Sequence, residues 1–101
     1  MLFRSKKIKK KLPIEVETRT LNDVKLILNK GGFQRIMLDN YSIADTKKAV
    51  ALIGNKFEIE SSGGITEKTI AAYAKCGVDF ISVGALTHHV KSLDLSLKAI
   101  K

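Results

Sequence analysis

A period of about 22 residues runs through most of this sequence. Four short apolar runs, Ile14–Thr18, Arg35–Asp39, Phe57–Ser61 and Phe80–Gly84, recur at that interval. Between them lie stretches with helical spacing. Leu21, Val24, Ile27 and Leu28 share one face, and Ile43, Val50 and Ile53 share another. Ile70, Ala71, Tyr73 and Ala74 serve a third helix, and Ser92 to Ile100 makes a shorter fourth. Thr20 with Asp23 and Ser42 with Asp45 have the spacing of an N-cap hydroxyl and an acid in the first turn. Thr66 followed by Glu67 offers a third cap, while Gly31-Gly32 and Gly77 suit helix C-termini. Strand, loop and helix, repeated four times, predict an α/β fold with a parallel sheet covered by helices.

An open doubly wound sheet and a piece of a closed barrel both fit that pattern. Four units cannot close an eight-stranded barrel. A barrel piece would leave edge strands and one sheet face uncovered, to be completed by a second copy or by further barrel elements.

At 101 residues, with 45% apolar and 28% charged residues, the chain is sized for one compact domain. No apolar run is long enough to span a bilayer, and the basic N-terminus lacks the apolar core of a secretory signal. The single cysteine, Cys76, excludes an internal disulfide and reads as a buried structural thiol. A cytoplasmic protein is expected.

The net charge of +8 is concentrated: Arg4, Lys6, Lys7, Lys9, Lys10 and Lys11 leave only +2 for residues 14–101. Such a run attracts phosphates nonspecifically, but no aromatic interleaves with it and no base-reading motif follows. It reads as a basic N-terminal segment, residues 1–12, ahead of a domain over 13–101. Neither a nucleic acid nor a membrane is expected as a partner.

The polar residues have a phase. They gather at the C-terminal ends of the strands: Glu15 and Glu17, Asp39-Asn40, Glu60-Ser61-Ser62-Gly63-Gly64, then Gly84 with Thr87-His88-His89. In βα barrels that end carries the active site. A strand has no cheap way to bury a carboxylate, so Glu17 and Asp39 should face a polar cavity or ligand. The alternatives are an exposed edge residue for Glu17 and a loop-entry cap for Asp39, although Ser42 already suits that cap. Alternation puts Glu15 and Glu17 on one face, inward if Val16 faces the helices.

Ser61-Ser62-Gly63-Gly64 joins a strand to a helix. Its glycines let backbone approach an anion, and the next helix would add free N–H groups. Gly84-Ala85-Leu86 repeats that chemistry in the next unit. Two adjacent loops of this kind suit a phosphate. His88 could bond that phosphate or simply start a helix; His89 reads as a helix-start or interface residue. No zinc-ligand spacing, GxSxG, Walker loop or GxGxxG is present.

Four segments, Ile14-Glu15-Val16-Glu17-Thr18, Ile36-Met37-Leu38-Asp39-Asn40, Glu60 to Thr66 and Gly77 to His88, together resemble the C-terminal part of the quinolinate phosphoribosyltransferase family, also called carboxylating nicotinate-nucleotide pyrophosphorylase. The resemblance runs in order from about Lys11 to Ile100. It implies four consecutive βα units forming the C-terminal half of a TIM-like (β/α) barrel with parallel strands. It also implies a reaction. The ring nitrogen of quinolinate attacks C1 of phosphoribosyl pyrophosphate, pyrophosphate leaves with Mg2+, and CO2 is lost to give nicotinate mononucleotide for NAD biosynthesis.

By the same resemblance, Glu17 and Asp39 hold the ribose hydroxyls. Ser62, Gly63, Gly64 and Gly84 hold the 5′-phosphate, and His88 lines the site. The family's quinolinate-binding residues belong to an earlier barrel half. This chain is therefore expected to need a complementing half or a second copy, and to be inactive alone. A different phosphate-binding half-barrel that dimerises, or a non-enzymatic remnant, are the competing readings.

Overall fold

A computed structural model describes residues 14–92. The basic segment and most of the fourth helical stretch lie outside the described residues. Eight elements follow one another: β1 (Glu15–Thr18), α1 (Leu21–Leu28), β2 (Arg35–Asp39), α2 (Ile43–Ile53), β3 (Glu58–Ser62), α3 (Ile70–Lys75), β4 (Phe80–Val83) and β5 (Leu86–His89).

Two helix starts are built as the spacing predicts. Thr20 Oγ1 accepts the N–H of Asp23 at 3.1 Å, and Ser42 Oγ accepts the N–H of Asp45 at 3.1 Å. The third differs. Thr66 heads a separate turn, its N–H donating to Thr69 Oγ1 at 3.0 Å, and regular helix begins only at Ile70. Thr69 occupies the cap position with a helical backbone and no side-chain cap. The expected cap thus serves a turn that delays the helix by about one turn.

The strands lie in sequential order β1-β2-β3-β4-β5, with β1 to β4 parallel. Right-handed crossovers between sequential neighbours put every helix on the same face, whereas a doubly wound sheet reverses direction. The structure therefore selects the barrel-type arrangement. On the helix side Ile36, Leu38, Ile59 and Ile81 are buried against Val24, Ala49, Ile53 and Ile70, which together form the core.

The fourth unit carries an addition the spacing does not announce. Between β4 and the helical residues that begin at Val90, the chain turns back as β5, antiparallel to β4. Val83 pairs with Leu86 across the two-residue turn Gly84-Ala85, and Gly84 takes φ +62°. A positive φ at the first turn position is what a tight hairpin demands, and glycine supplies it without a Cβ penalty. The sheet is thus parallel only through β4.

Candidate functional site

The face of the sheet away from the helices has no covering layer among the described residues, and it is polar. Strand register places Glu15, Arg35 and Glu58 in one row, and Glu17, Met37, Glu60, Phe80 and His89 in the next. Alternation explains this: with Val16, Ile36 and Ile59 committed to the core, their neighbours must point the other way. Both glutamates of β1 share the open face, as the alternation predicts.

The lower part of this face is a linked charge layer. Arg35 reaches Glu58 at 3.2 Å and Glu60 at 3.6 Å, and its guanidinium lies 3.7 Å from the centre of the Phe80 ring. Phe80 in turn meets the His89 ring edge-on at 4.9 Å. Glu60 is the one charged side chain buried among the described residues. It also accepts a short 2.6 Å bond from Ser82 Oγ. The Glu15 carboxyl is pushed up to about 7, first by partial loss of water and then by its hydrogen bond to Glu60 and the charge of that group.

The upper rim is built at the C-terminal ends of the strands. Asp39 and Asn40 abut the Ser62-Gly63-Gly64 turn, and the N–H of Asn40 donates to Ser62 O at 2.7 Å. A Cβ on Gly63 would lie 2.9 Å from both Asp39 Oδ1 and the Asn40 nitrogen. Only glycine fits there, so Gly63 is what lets the β3 turn close on Asp39. Gly63 and Gly64 both adopt positive φ, +91° and +68°. Their N–H groups, and that of Ile65, donate to no protein acceptor among the described residues. Successive unsatisfied amides in such a turn form a concave site for an anion. The turn provides them, rather than the helix expected directly after it, since α3 starts later.

Arg19 was not singled out by sequence. Its Nε lies 3.9 Å from Glu17 and 3.8 Å from Asp39, spanning the two carboxylates at the mouth of the face. It sits just past β1 on a turn, a place where basic residues carry no pattern of their own. Below the rim Tyr41 Oη donates to Thr20 O at 2.6 Å and lies 2.8 Å from Thr18 Oγ1, while Tyr73 Oη donates to Tyr41 O at 2.6 Å. Burial pushes the Tyr41 phenol up. This hydroxyl cluster ties the first two βα loops to α3.

The structure thus brings Glu17, Asp39, Ser62, Gly63 and Gly64 to one end of one face. Gly84 lies at the same end, in the hairpin turn. A Cβ there would meet nothing within 4 Å, so its glycine is required by φ and not by a close neighbour. His88 pairs with Ile81, on the helix-covered side, while His89 pairs with Phe80 on the open one. Of the two histidines it is His89 that shares the face with Glu17 and Asp39, and it also stands at a helix start as expected, its Nδ1 accepting the N–H of Lys91 at 3.1 Å just before helical residues begin at Val90. Cys76 is buried, and burial pushes its thiol up, as for a structural cysteine.

Among known protein families, the model of the quinolinate phosphoribosyl transferase C-terminal domain matches residues 3–98. The chain belongs to this family. It is 46% identical over 101 aligned positions to the chloroplastic carboxylating nicotinate-nucleotide pyrophosphorylase of Oryza sativa, a match covering 86% of this chain and 27% of that protein. It is 43% identical over 96 positions to the probable carboxylating enzyme of Methanocaldococcus jannaschii, covering 87% of this chain and 33% of that protein. The nicotinate-nucleotide pyrophosphorylase structure from Francisella tularensis superposes with a TM-score of 0.67 at 39% identity, over 81% of this chain and 29% of that one. The chain therefore spans about a third or less of the relatives it matches, and the arrangement seen here is one segment of the family's barrel. No helix among the described residues is long and apolar enough to cross a membrane.

Proposed function

We propose that this chain is the phosphoribosyl-holding part of a quinolinate phosphoribosyltransferase, a pentosyltransferase of NAD biosynthesis. Glu17 and Asp39 bind the ribose hydroxyls of phosphoribosyl pyrophosphate. Ser62, Gly63, Gly64 and Gly84 bind its 5′-phosphate. The observation that carries this reading is the fit of Gly63 against Asp39, which sets free amides beside a carboxylate at a single rim. An anion and a polyol attached to one another need that pair of environments side by side.

The chemistry follows from the arrangement. Ribosyl transfer develops positive charge on the sugar, which carboxylates at the rim stabilise as it forms. A 5′-phosphate fixed by backbone donors orients C1 for attack by the ring nitrogen, so remote binding lowers the entropic part of the barrier. Mg2+ enters with the pyrophosphate substrate. It comes bound to the substrate's phosphates, and no protein-held metal is proposed. Arg19 between Glu17 and Asp39 moves aside or turns to the phosphates when substrate binds. His88, directed to the helix side of β5, takes part only if the hairpin reorganises. Quinolinate and the pyrophosphate are handled by residues of a complementing barrel half, which also covers the open face. A cytoplasmic location belongs to the same proposal; the plant relatives carry chloroplastic or mitochondrial names.

Titrating isotopically labelled chain with phosphoribosyl pyrophosphate and Mg2+ tests the assignment. Amide signals of Asp39, Gly63 and Gly64 should shift. Asp39→Asn should weaken binding of the sugar phosphate by about tenfold or more, the worth of a charged hydrogen bond, while inorganic phosphate affinity changes little. Equal losses for the two ligands would make Asp39 structural, and no shift in the wild-type chain would leave the remnant reading standing.

A further inference from the structure

Glu60 is an expensive residue to place where it stands. A buried carboxylate is retained only when its partners replace the water it loses. Arg35 supplies charge on one side, and Ser82 Oγ donates to Glu60 Oε2 at 2.6 Å on the other. The contact to Ser82 continues: Ser82 Oγ is also 2.8 Å from Thr87 Oγ1, directly across the β4–β5 hairpin. A line of side chains thus runs from β3 through β4 to β5 over the open face.

Its position relative to the rim gives it meaning. Glu60 lies on β3 two residues before Ser62, and Ser82 lies on β4 two residues before Gly84. Glu60 pairs with Phe80, so Gly64 and Gly84 each follow that pair by four residues. The β3–β4 pairing itself is short, two residue pairs ending at Ser61 and Ile81. Above that point no backbone ladder between β3 and β4 holds the hairpin turn to the Ser62–Gly64 turn. The Glu60–Ser82 bond is the side-chain contact nearest that gap. At 2.6 Å it is short for a hydroxyl donating to a carboxyl oxygen.

We propose that Glu60 is a positioning residue: through Ser82 it fixes the β4–β5 hairpin, and with it Gly84, against the Ser62–Gly64 turn. The role rests on reading these turns as the phosphate site, and it deepens that reading by naming the residue that sets their separation. Thr87 extends the hold to the returning strand, so the hairpin moves as a unit with β3.

The test uses the full 101-residue chain and inorganic phosphate as probe, with amide hydrogen exchange measured in parallel. Ser82→Ala cuts the link without removing the partner of Arg35. It should weaken phosphate binding about fivefold to tenfold and speed exchange in the β4–β5 ladder, leaving the β1–β2 ladder unchanged. Ser82→Thr, which keeps a hydroxyl, should restore both. Adding Glu60→Gln to Ser82→Ala should give no further loss of phosphate affinity, because the path through Ser82 is already cut. Faster hairpin exchange with unchanged affinity would make the link structural and overturn the positioning role. A further loss in the double variant would overturn the route through Ser82. Absence of phosphate binding by the wild-type chain would instead strike the site reading itself and take this proposal with it.

Discussion

Three glycines of the rim have the same residue type and different reasons for it. Gly63 needs both a positive φ and the missing Cβ, Gly64 has Asn40 Oδ1 at an ordinary 3.7 Å, and Gly84 needs only its φ. Gly63→Ala should therefore cost about 1–3 kcal/mol and also separate the β3 turn from Asp39, lowering sugar-phosphate affinity. Gly84→Ala should cost about 1 kcal/mol from φ alone. Thermal melts beside binding titrations would show it, and equal effects at the two sites would refute the contact. A paired glycine before a helix was legible in the sequence; which glycine carried the contact was not, because that depends on how closely a separate strand end approaches. The charge on Glu15 was hidden for the same reason, since its partner Glu60 lies two strands away. Folded, the Glu15 carboxyl holds its proton more tightly than when unfolded, so its contribution to stability is whole below about 4.5 and is lost as pH rises through about 7. Melting temperature should fall between about pH 5 and pH 8 in the wild type, and fall less in Glu15→Gln. Parallel curves for the two proteins would place the titration elsewhere.

At the scale of elements, local signals were right where local chemistry decides. Thr20 and Ser42 cap their helices because hydroxyl and N–H lie three residues apart in the same turn. Thr66 caps only a turn, accepting the N–H of Lys68 at 3.3 Å, because Thr69 competes: its hydroxyl accepts the Thr66 N–H and donates back to Thr66 O at 3.3 Å, delaying the regular helix. The β5 hairpin was missed because a Gly-Ala turn after a strand looks the same whether a helix or a returning strand follows. The loops are held by a device no periodicity announces, the Tyr41 hydroxyl between Thr18 and Thr20. Tyr41→Phe removes that hydroxyl and leaves the Thr20 carbonyl without its donor, while Thr18 Oγ1 keeps its bond to Met37 O at 2.9 Å, at a cost of about 1–3 kcal/mol. Denaturant unfolding of the variant would measure it; a change below about 0.5 kcal/mol, the usual range for inconsequential substitutions, would mean that water replaces the hydroxyl there.

For the molecule as a whole, the 22-residue period was enough to reach the helix-covered sheet, since sequential right-handed units allow few arrangements. It could not say what covers the other face. That face carries Glu15, Glu17, Asp39, Glu58 and Glu60 against Arg35, with Arg19 at its mouth. Two copies meeting through it would set like charges opposite one another across a closing, drying interface. Under the proposed function, a complementing barrel half that presents cations to this face would meet it favourably. Mixing this chain with a separately produced polypeptide corresponding to the part of a relative that precedes the matched region should therefore yield pyrophosphate release that neither piece shows alone. The signal should saturate near equal molar amounts. Asp39→Asn in this chain should reduce it at least tenfold while leaving co-elution of the two pieces intact. Release of pyrophosphate that ignored Asp39 would mean that the ribose is held elsewhere, and failure of the pieces to associate would mean that this open face answers to a different partner.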